Sequence, residues 1–202
     1  MESREMQAVV EQILRQNFVE LEASGRHVHV TREQAKQLFG HKLTEDRPLS
    51  QPGQFLAKER VCVKGPKGEF QKVAVLGPER KEGQVELSLT DARYLGLEVP
   101  VRLSGAVEGS PGAVLIGPCG QVVLERGVIA AKRHIHMTPE DGKRMGLQDG
   151  QQVKLQVFTK RPLIFEDVVV RIHPDFATYV HLDYDEANAC GFCSGDLGRI
   201  LS

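Results

Sequence analysis

Seven histidines occur in this chain of 202 residues, and four of them repeat one spacing. His27 and His29 stand in Arg26-His27-Val28-His29-Val30-Thr31; His134 and His136 stand in Arg133-His134-Ile135-His136-Met137-Thr138. Alternate side chains of an extended strand share a face, so each His-x-His presents two imidazoles on one side, a pair able to chelate one metal ion. The copies are offset by 134 − 27 = 107 residues. Recurrence within an internal repeat sets these pairs apart from the solvated His-x-His of an ordinary surface strand.

The residues just after each pair matter as much. Thr31 reads as a helix N-cap with Gln34 three residues on, and Thr138 as one with Pro139 at the first helical position. A histidine therefore stands two residues before a helix start in both copies. The unit recurs in His181-Leu182-Asp183-Tyr184-Asp185-Glu186 and, with a carboxylate replacing the histidine, in Glu86-Leu87-Ser88-Leu89-Thr90-Asp91. Strand-end ligands that each feed a helix N-terminus make a metal-lined cleft that also favours an anion. Imidazoles with one carboxylate suit Zn²⁺, and fewer than four protein ligands per ion leave a catalytic position open. His27, His29, Glu86, His134, His136 and His181 fit two ions better than one. Arg80 leaves the turn Leu76-Gly77-Pro78 six residues before Glu86, where a guanidinium is suited to bidentate capture of phosphate or carboxylate. The plainer reading of Arg80 is a solvated loop residue beside Glu79 and Glu82.

Three other patterns compete. His-x-His followed by Glu33 or Glu140 resembles half of a cupin motif, but both glutamates fall in the first turn after a capping threonine, where the helix dipole already accounts for a carboxylate. An amidohydrolase-type β/α barrel needs alternating helices and a longer chain. Cys190-Gly-Phe-Cys193 reads as a dithiol motif only where it opens a helix after a strand, and here it comes after a helical stretch.

The elements that must carry these residues are mostly short strands: 61–64, 72–76, 85–89, 99–103, 113–116, 122–124, 128–131, 153–158, 168–172 and 179–182, separated by Gly, Pro and Asp turns. Many short strands with few helices indicate barrels or sandwiches. Residues 41–54 interrupt the pattern as a polar excursion. Met6, Val9, Val10, Ile13, Leu14 and Phe18 fall at helical spacing, so residues 1–20 read as an amphipathic helix that docks on the protein itself, on a second copy or in a partner's groove.

With 26 Lys+Arg against 27 Asp+Glu the net charge is −1, which excludes bulk nucleic-acid binding as a first expectation. No apolar run reaches the roughly 20 residues of a membrane span and no signal-peptide pattern opens the chain, so the expected compartment is the cytosol, where four reduced cysteines are at home.

At these residues the sequence resembles the phosphate propanoyltransferases, the phosphotransacylases of bacterial microcompartments. The likeness runs through Arg26–Val30, Gln51-Pro52-Gly53-Gln54, Leu76-Gly77-Pro78 with Arg80, Gln84–Ser88, Gly127-Val128-Ile129, Arg133–Met137, His181-Leu182-Asp183 and Asp185–Ala189. Tyr184, and Tyr179-Val180 before the histidine, depart from the family pattern and bear on acyl-chain preference. The resemblance implies a mainly β fold of two strand-exchanged β-barrels capped by short helices. One barrel would use residues 21–25 and 132–202; the other would use 26–131, with the 40–58 excursion. It implies two zinc ions on His27, His29, Glu86, His134, His136 and His181, phosphate on Arg80, and coenzyme A contacts at Ser24, Leu76 and Asn188. It further implies an encapsulation peptide in residues 1–20 that meets shell or core proteins of a microcompartment in the bacterial cytoplasm, and a homodimer or higher oligomer. The expected reaction converts a short-chain acyl-CoA, propanoyl-CoA or acetyl-CoA, and phosphate into acyl phosphate and CoA. The competing activities are a zinc-dependent thioesterase or acyl hydrolase and a non-catalytic microcompartment scaffold.

Overall fold

The computed structural model describes residues 6, 7, 10 and 18–201. The amphipathic helix expected over residues 1–20 lies almost wholly outside the described residues, and its last two positions are corrected: Val19 and Glu20 are strand, paired with Gly198 and Leu197. Within them the chain is mainly β, with fifteen strands and four short helices. It divides into two compact units, one of residues 18–23, 133–182 and 186–201, the other of 24–132 and 183–185. No helix among the described residues is long and apolar enough to cross a membrane.

The first unit is a closed barrel in the order β1 (Val19–Ser24), β14 (Tyr179–Asp183), β11 (His134–Met137), β13 (Leu163–Ile172), β12 (Gln152–Phe158) and β15 (Leu197–Leu201). Pairing of β1 with β15 shuts the ring and removes both sheet edges. Alternation does the sorting: Val153, Leu155 and Val157 of β12 face a core shared with Leu21, Ile135, Met137, Val168, Val170, Val180 and Leu182, while Gln152, Lys154 and Phe158 face out. Each fully buried aliphatic side chain there contributes about 1.5–3 kcal/mol. The strand β1 precedes the whole second unit in sequence, so the barrel is assembled from both ends of the chain.

The second unit is built on a nine-stranded sheet. Its order is β7 (Val101–Arg102), β10 (Val128–Ala131), β6 (Gln84–Leu87), β2 (His27–His29), β5 (Glu69–Gly77), β4 (Phe55–Lys64), β8 (Ala113–Ile116) and β9 (Gln121–Leu124), with β3 (Glu45–Pro48) paired to β4. Here the expectation of a second closed barrel is corrected: this sheet is open. The chain between β7 and β8 is turns instead of a closing strand, with Gly105 and Gly109 at positive φ and Pro111 lacking an N–H to donate. The excursion also holds more order than its polarity suggested, since β3 pairs Glu45 with Ala57 and Pro48 with Phe55. Val28, Val30, Leu38, Val63, Val75, Leu95 and Leu115 form the core.

The internal repeat is visible in the pairing. The strand β2 lies parallel to β5 and antiparallel to β6; β11 lies parallel to β13 and antiparallel to β14. Helices begin where the caps predicted. Thr31 and Gln34 make a reciprocal capping box ahead of α1 (Arg32–Phe39), which buries Ala35, Leu38 and Phe39 and stops at Gly40 in the left-handed region. Ser88 caps α2 (Leu89–Leu95), and Thr138 caps α3 (Pro139–Met145). The fourth helix, α4 (Tyr184–Cys190), comes directly after Asp183.

Close approach of backbone to backbone holds β9 in place. A Cβ at Gly112 would stand 1.9 Å from the Leu124 carbonyl oxygen, which cannot yield without breaking the β8–β9 ladder. Gly112→Ala is expected to destabilise the protein by about 3 kcal/mol, the upper end for overpacking, read as a lower urea midpoint with unchanged slope.

Candidate metal centres

Each unit gathers one group of three ligands. His27, His29 and Glu86 form one, His134, His136 and His181 the other, and within each group the ligand atoms lie within 4.8 Å of one another. Register explains the convergence: His27 is cross-strand from Glu86 and His134 from His181, while His29 and His136 are two residues along the same faces.

In the second unit all three side chains are buried, and each imidazole is oriented by a main-chain carbonyl. His27 Nδ1 lies 2.8 Å from Gly25 O, and His29 Nδ1 lies 3.3 Å from Leu76 O. A carbonyl only accepts, so Nδ1 carries the proton of each neutral ring and the Nε2 lone pairs turn toward Glu86. Nε2 of His27 is 3.6 Å from one Glu86 oxygen and that of His29 is 3.8 Å from the other. Burial alone would raise the Glu86 pKa, but the neighbouring His27 outweighs it and the carboxyl sits well below its usual range. Burial, the charge of His27 and then Arg80 push His29 well below the usual imidazole value. Burial also opposes charge on His27, yet Glu86 prevails and its pKa is raised.

A polar chain ties Arg80 to this group. Ser104 Oγ donates to Glu86 Oε1 at 2.6 Å and accepts from Arg80 Nη1 at 3.1 Å and from Gln84 Nε2 at 2.9 Å. Gln84 also donates to Glu86 Oε1 at 2.5 Å and accepts from the Gly105 N–H at 2.8 Å. One carboxylate oxygen is thus fixed by two donors. Gln84 sits inside the motif that contains Glu86, whereas Ser104 lies past β7 at no diagnostic spacing, and only the fold reveals it.

In the barrel unit the three rings are packed together, His134 against His181 at 5.0 Å between centroids and His136 at 4.6 Å from each. Phe176 covers His136 at 4.0 Å, and Glu22 Oε2 lies 3.4 Å from His181 Nδ1. Glu22 points as it does because Leu21 takes the opposite, core-facing side of β1. That role depends on the β1 and β14 neighbourhood in the barrel, which spacing along the chain does not disclose.

The remaining candidates are dispersed. Leu76 offers its carbonyl to His29, Ser24 ends β1, and Asn188 is exposed on α4. Glu33 is also exposed, held low by its own backbone N–H and the Thr31 hydroxyl, and stands outside both groups. All four cysteines are free, and burial raises the Cys190 thiol, which disfavours a reactive thiolate.

The donor sets, two imidazoles with a carboxylate and three imidazoles, fit a divalent ion such as Zn²⁺ with coordination positions left open. Fold and sites define a mainly β protein with one three-ligand group in each unit. The profile of the phosphate propanoyltransferases matches residues 20–193, and the chain belongs to that family. It is 54% identical over 204 residues to the phosphate propanoyltransferase of Enterococcus faecalis, covering 97% of each chain. It is 51% identical to that of Listeria monocytogenes, covering 97% of this chain and 93% of the relative, and 53% identical to that of Thermotoga maritima, covering 88% and 86%. It is accordingly an enzyme, a transferase acting on acyl and phosphate groups.

Proposed function

We propose that this chain is a zinc-dependent phosphotransacylase interconverting a short-chain acyl-CoA, propanoyl-CoA or acetyl-CoA, and phosphate with acyl phosphate and CoA. The observation that carries the reading is the hydrogen-bonded chain from Arg80 through Ser104 to Glu86, which joins an anion-binding side chain to a three-ligand group. His27, His29 and Glu86 hold one Zn²⁺, and His134, His136 and His181 hold a second. Zinc bound there supplies Lewis acidity and draws charge from a carbonyl or phosphoryl oxygen.

The side chains do the rest. Arg80 takes phosphate oxygens in its planar fork and sets one of them for attack on the thioester carbonyl. Ser104 and Gln84 keep Glu86 in one rotamer, so the ligand does not swing as substrate charge changes. The new C–O bond forms as the C–S bond breaks, and the CoA thiolate leaves with the bonding electron pair. No side-chain nucleophile is needed. Coenzyme A contacts are assigned to Ser24, Leu76 and Asn188 on the family likeness.

CoA release from acetyl, propanoyl and butanoyl thioesters, with and without phosphate, tests the reading. Release is expected only with phosphate, in protein containing two zinc ions per chain. Equal release without phosphate would make the protein a hydrolase, and activity surviving complete chelation would remove the metal. A protein with neither activity nor metal would be a scaffold component.

Residues 1–20 are proposed to direct the enzyme into a microcompartment of the bacterial cytoplasm through shell or core proteins, with the enzyme a homodimer or larger oligomer. Deleting residues 1–17 is expected to leave turnover and zinc content near wild type while abolishing co-sedimentation with shell protein. Loss of folding in that variant would assign the segment to the protein's own core.

A further inference from the structure

Each metal strand is preceded by an arginine, and both arginines close the same circuit. Arg26, next to His27, forks onto Asp91, with Nε 2.9 Å from Oδ2 and Nη2 2.8 Å from Oδ1. Arg133, next to His134, donates from Nη1 to Glu186 Oε1 at 2.8 Å and from Nε to the Glu166 carbonyl at 2.7 Å. Asp91 is the third residue of α2 and Glu186 the third residue of α4. Each lies the same step beyond the third metal ligand of its group, 91 − 86 = 5 and 186 − 181 = 5. An aromatic ring lies by each guanidinium, Phe70 at 4.1 Å and Phe165 at 5.7 Å from the ring centroid.

We infer that Arg26–Asp91 and Arg133–Glu186 are matched positioning pairs that hold the third metal ligand of each group in register with its His-x-His strand. The circuit runs from arginine to the adjacent histidine, across the ladder to Glu86 or His181, five residues along into the helix, and back through the ion pair. Apart from this link, the ligand strand and its helix meet the histidine strand through a ladder of three residue pairs and shared core packing. With it, the strand end bearing Glu86 or His181 cannot slide or splay by the few tenths of an ångström that a metal site rejects. Recurrence is the second argument. The Arg126 pairs with Glu82 and Glu108 are exposed and adjoin none of the six ligand residues, whereas an arginine–carboxylate pair stands beside the ligands in both units, its acidic partner five residues beyond the third ligand each time. A pair serving helix packing alone has no reason to recur at the residue adjoining the first ligand.

The inference rests on the metal reading above, and its test separates the two. In full-length His134→Ala protein, which keeps only the His27/His29/Glu86 group, Zn²⁺ affinity is measured by competition with a chromophoric chelator, and Co²⁺ loading is tracked by visible absorption. Arg26→Gln and Asp91→Asn are each expected to weaken the ion about 10–100-fold and to alter the Co²⁺ spectrum, and the double variant to be no weaker than either single. Arg26→Lys, retaining charge without the fork, recovers part of the affinity. Arg133→Gln and Glu186→Gln behave likewise in a His27→Ala background. Asp91→Asn and Glu186→Gln preserve side-chain shape, so they report on the pairs without opening cavities. Unchanged affinity and spectrum in these variants, or additive losses in the doubles, would overturn the inference while leaving the metal reading standing. A wild-type chain that binds neither Zn²⁺ nor Co²⁺ would overturn both.

Discussion

Replacing His134 with alanine is expected to remove one zinc ion per chain and to lower turnover by about 10³-fold or more, with the protein still folded. Apparent zinc affinities of about 10–16 kcal/mol spread over four ligands give about 2.5–4 kcal/mol for each, so losing one of three protein ligands weakens binding by about 10²–10³-fold. Folding survives because of strand alternation. The core of the barrel unit is filled by Ile135 and Met137 from β11, while His134 and His136 take the opposite face and belong to no apolar cluster. Metal analysis, far-UV circular dichroism and phosphate-dependent CoA release on one preparation check all three parts. Two ions per chain in the variant would remove His134 from the ligand set; loss of the circular dichroism signal would show that the imidazole supports the barrel itself.

The same alternation explains how much could be read from the chain. His27, His29, His134 and His136 were legible because period-two spacing puts ligands on one face wherever the strand ends up, and the caps Thr31 and Thr138 were legible because they act within four residues. Glu86 and His181 could be found as relatives of those units, yet their pairing with His27 and His134 is a fact of strand register. Ser104 and Glu22 were out of reach: each meets its ligand across the fold, from a turn 18 residues beyond Glu86 in one case and from the opposite end of the chain in the other. The open sheet escaped for a related reason. Closure depends on whether the chain between β7 and β8 donates a continuous row of N–H groups, and the positive-φ glycines and Pro111 that prevent this look like any other turn in a run of residues. Asp91 and Glu186 show the limit most clearly, since each reads locally as a carboxylate in the first turn of a helix, a position the dipole already favours.

Arg80→Ala is expected to lower kcat/KM for phosphate by about 10²-fold or more while both zinc ions stay bound. A charge-assisted bond to an ionised partner is worth about 1.5–3 kcal/mol, and a forked contact on a doubly charged oxyanion stands at or above the top of that range. Zinc remains because Arg80 is linked to Glu86 through Ser104, and with the guanidinium gone Ser104 and Gln84 still donate to Glu86 Oε1. Local electrostatics add a pH dependence in the opposite direction. The Arg80 charge acts to lower the pKa values of both His27 and His29, so its removal favours their protonated forms, and zinc binding in the variant should weaken sooner as pH falls. Arg80→Lys separates charge from geometry. A point charge on a flexible stem restores attraction for phosphate but not the planar fork, so KM for phosphate should recover more than kcat. Saturation curves for phosphate, run alongside zinc analysis, decide the matter: wild-type phosphate kinetics in Arg80→Ala would place phosphate elsewhere, and loss of zinc from that variant would make Arg80 a support of the ligand group instead of a substrate contact.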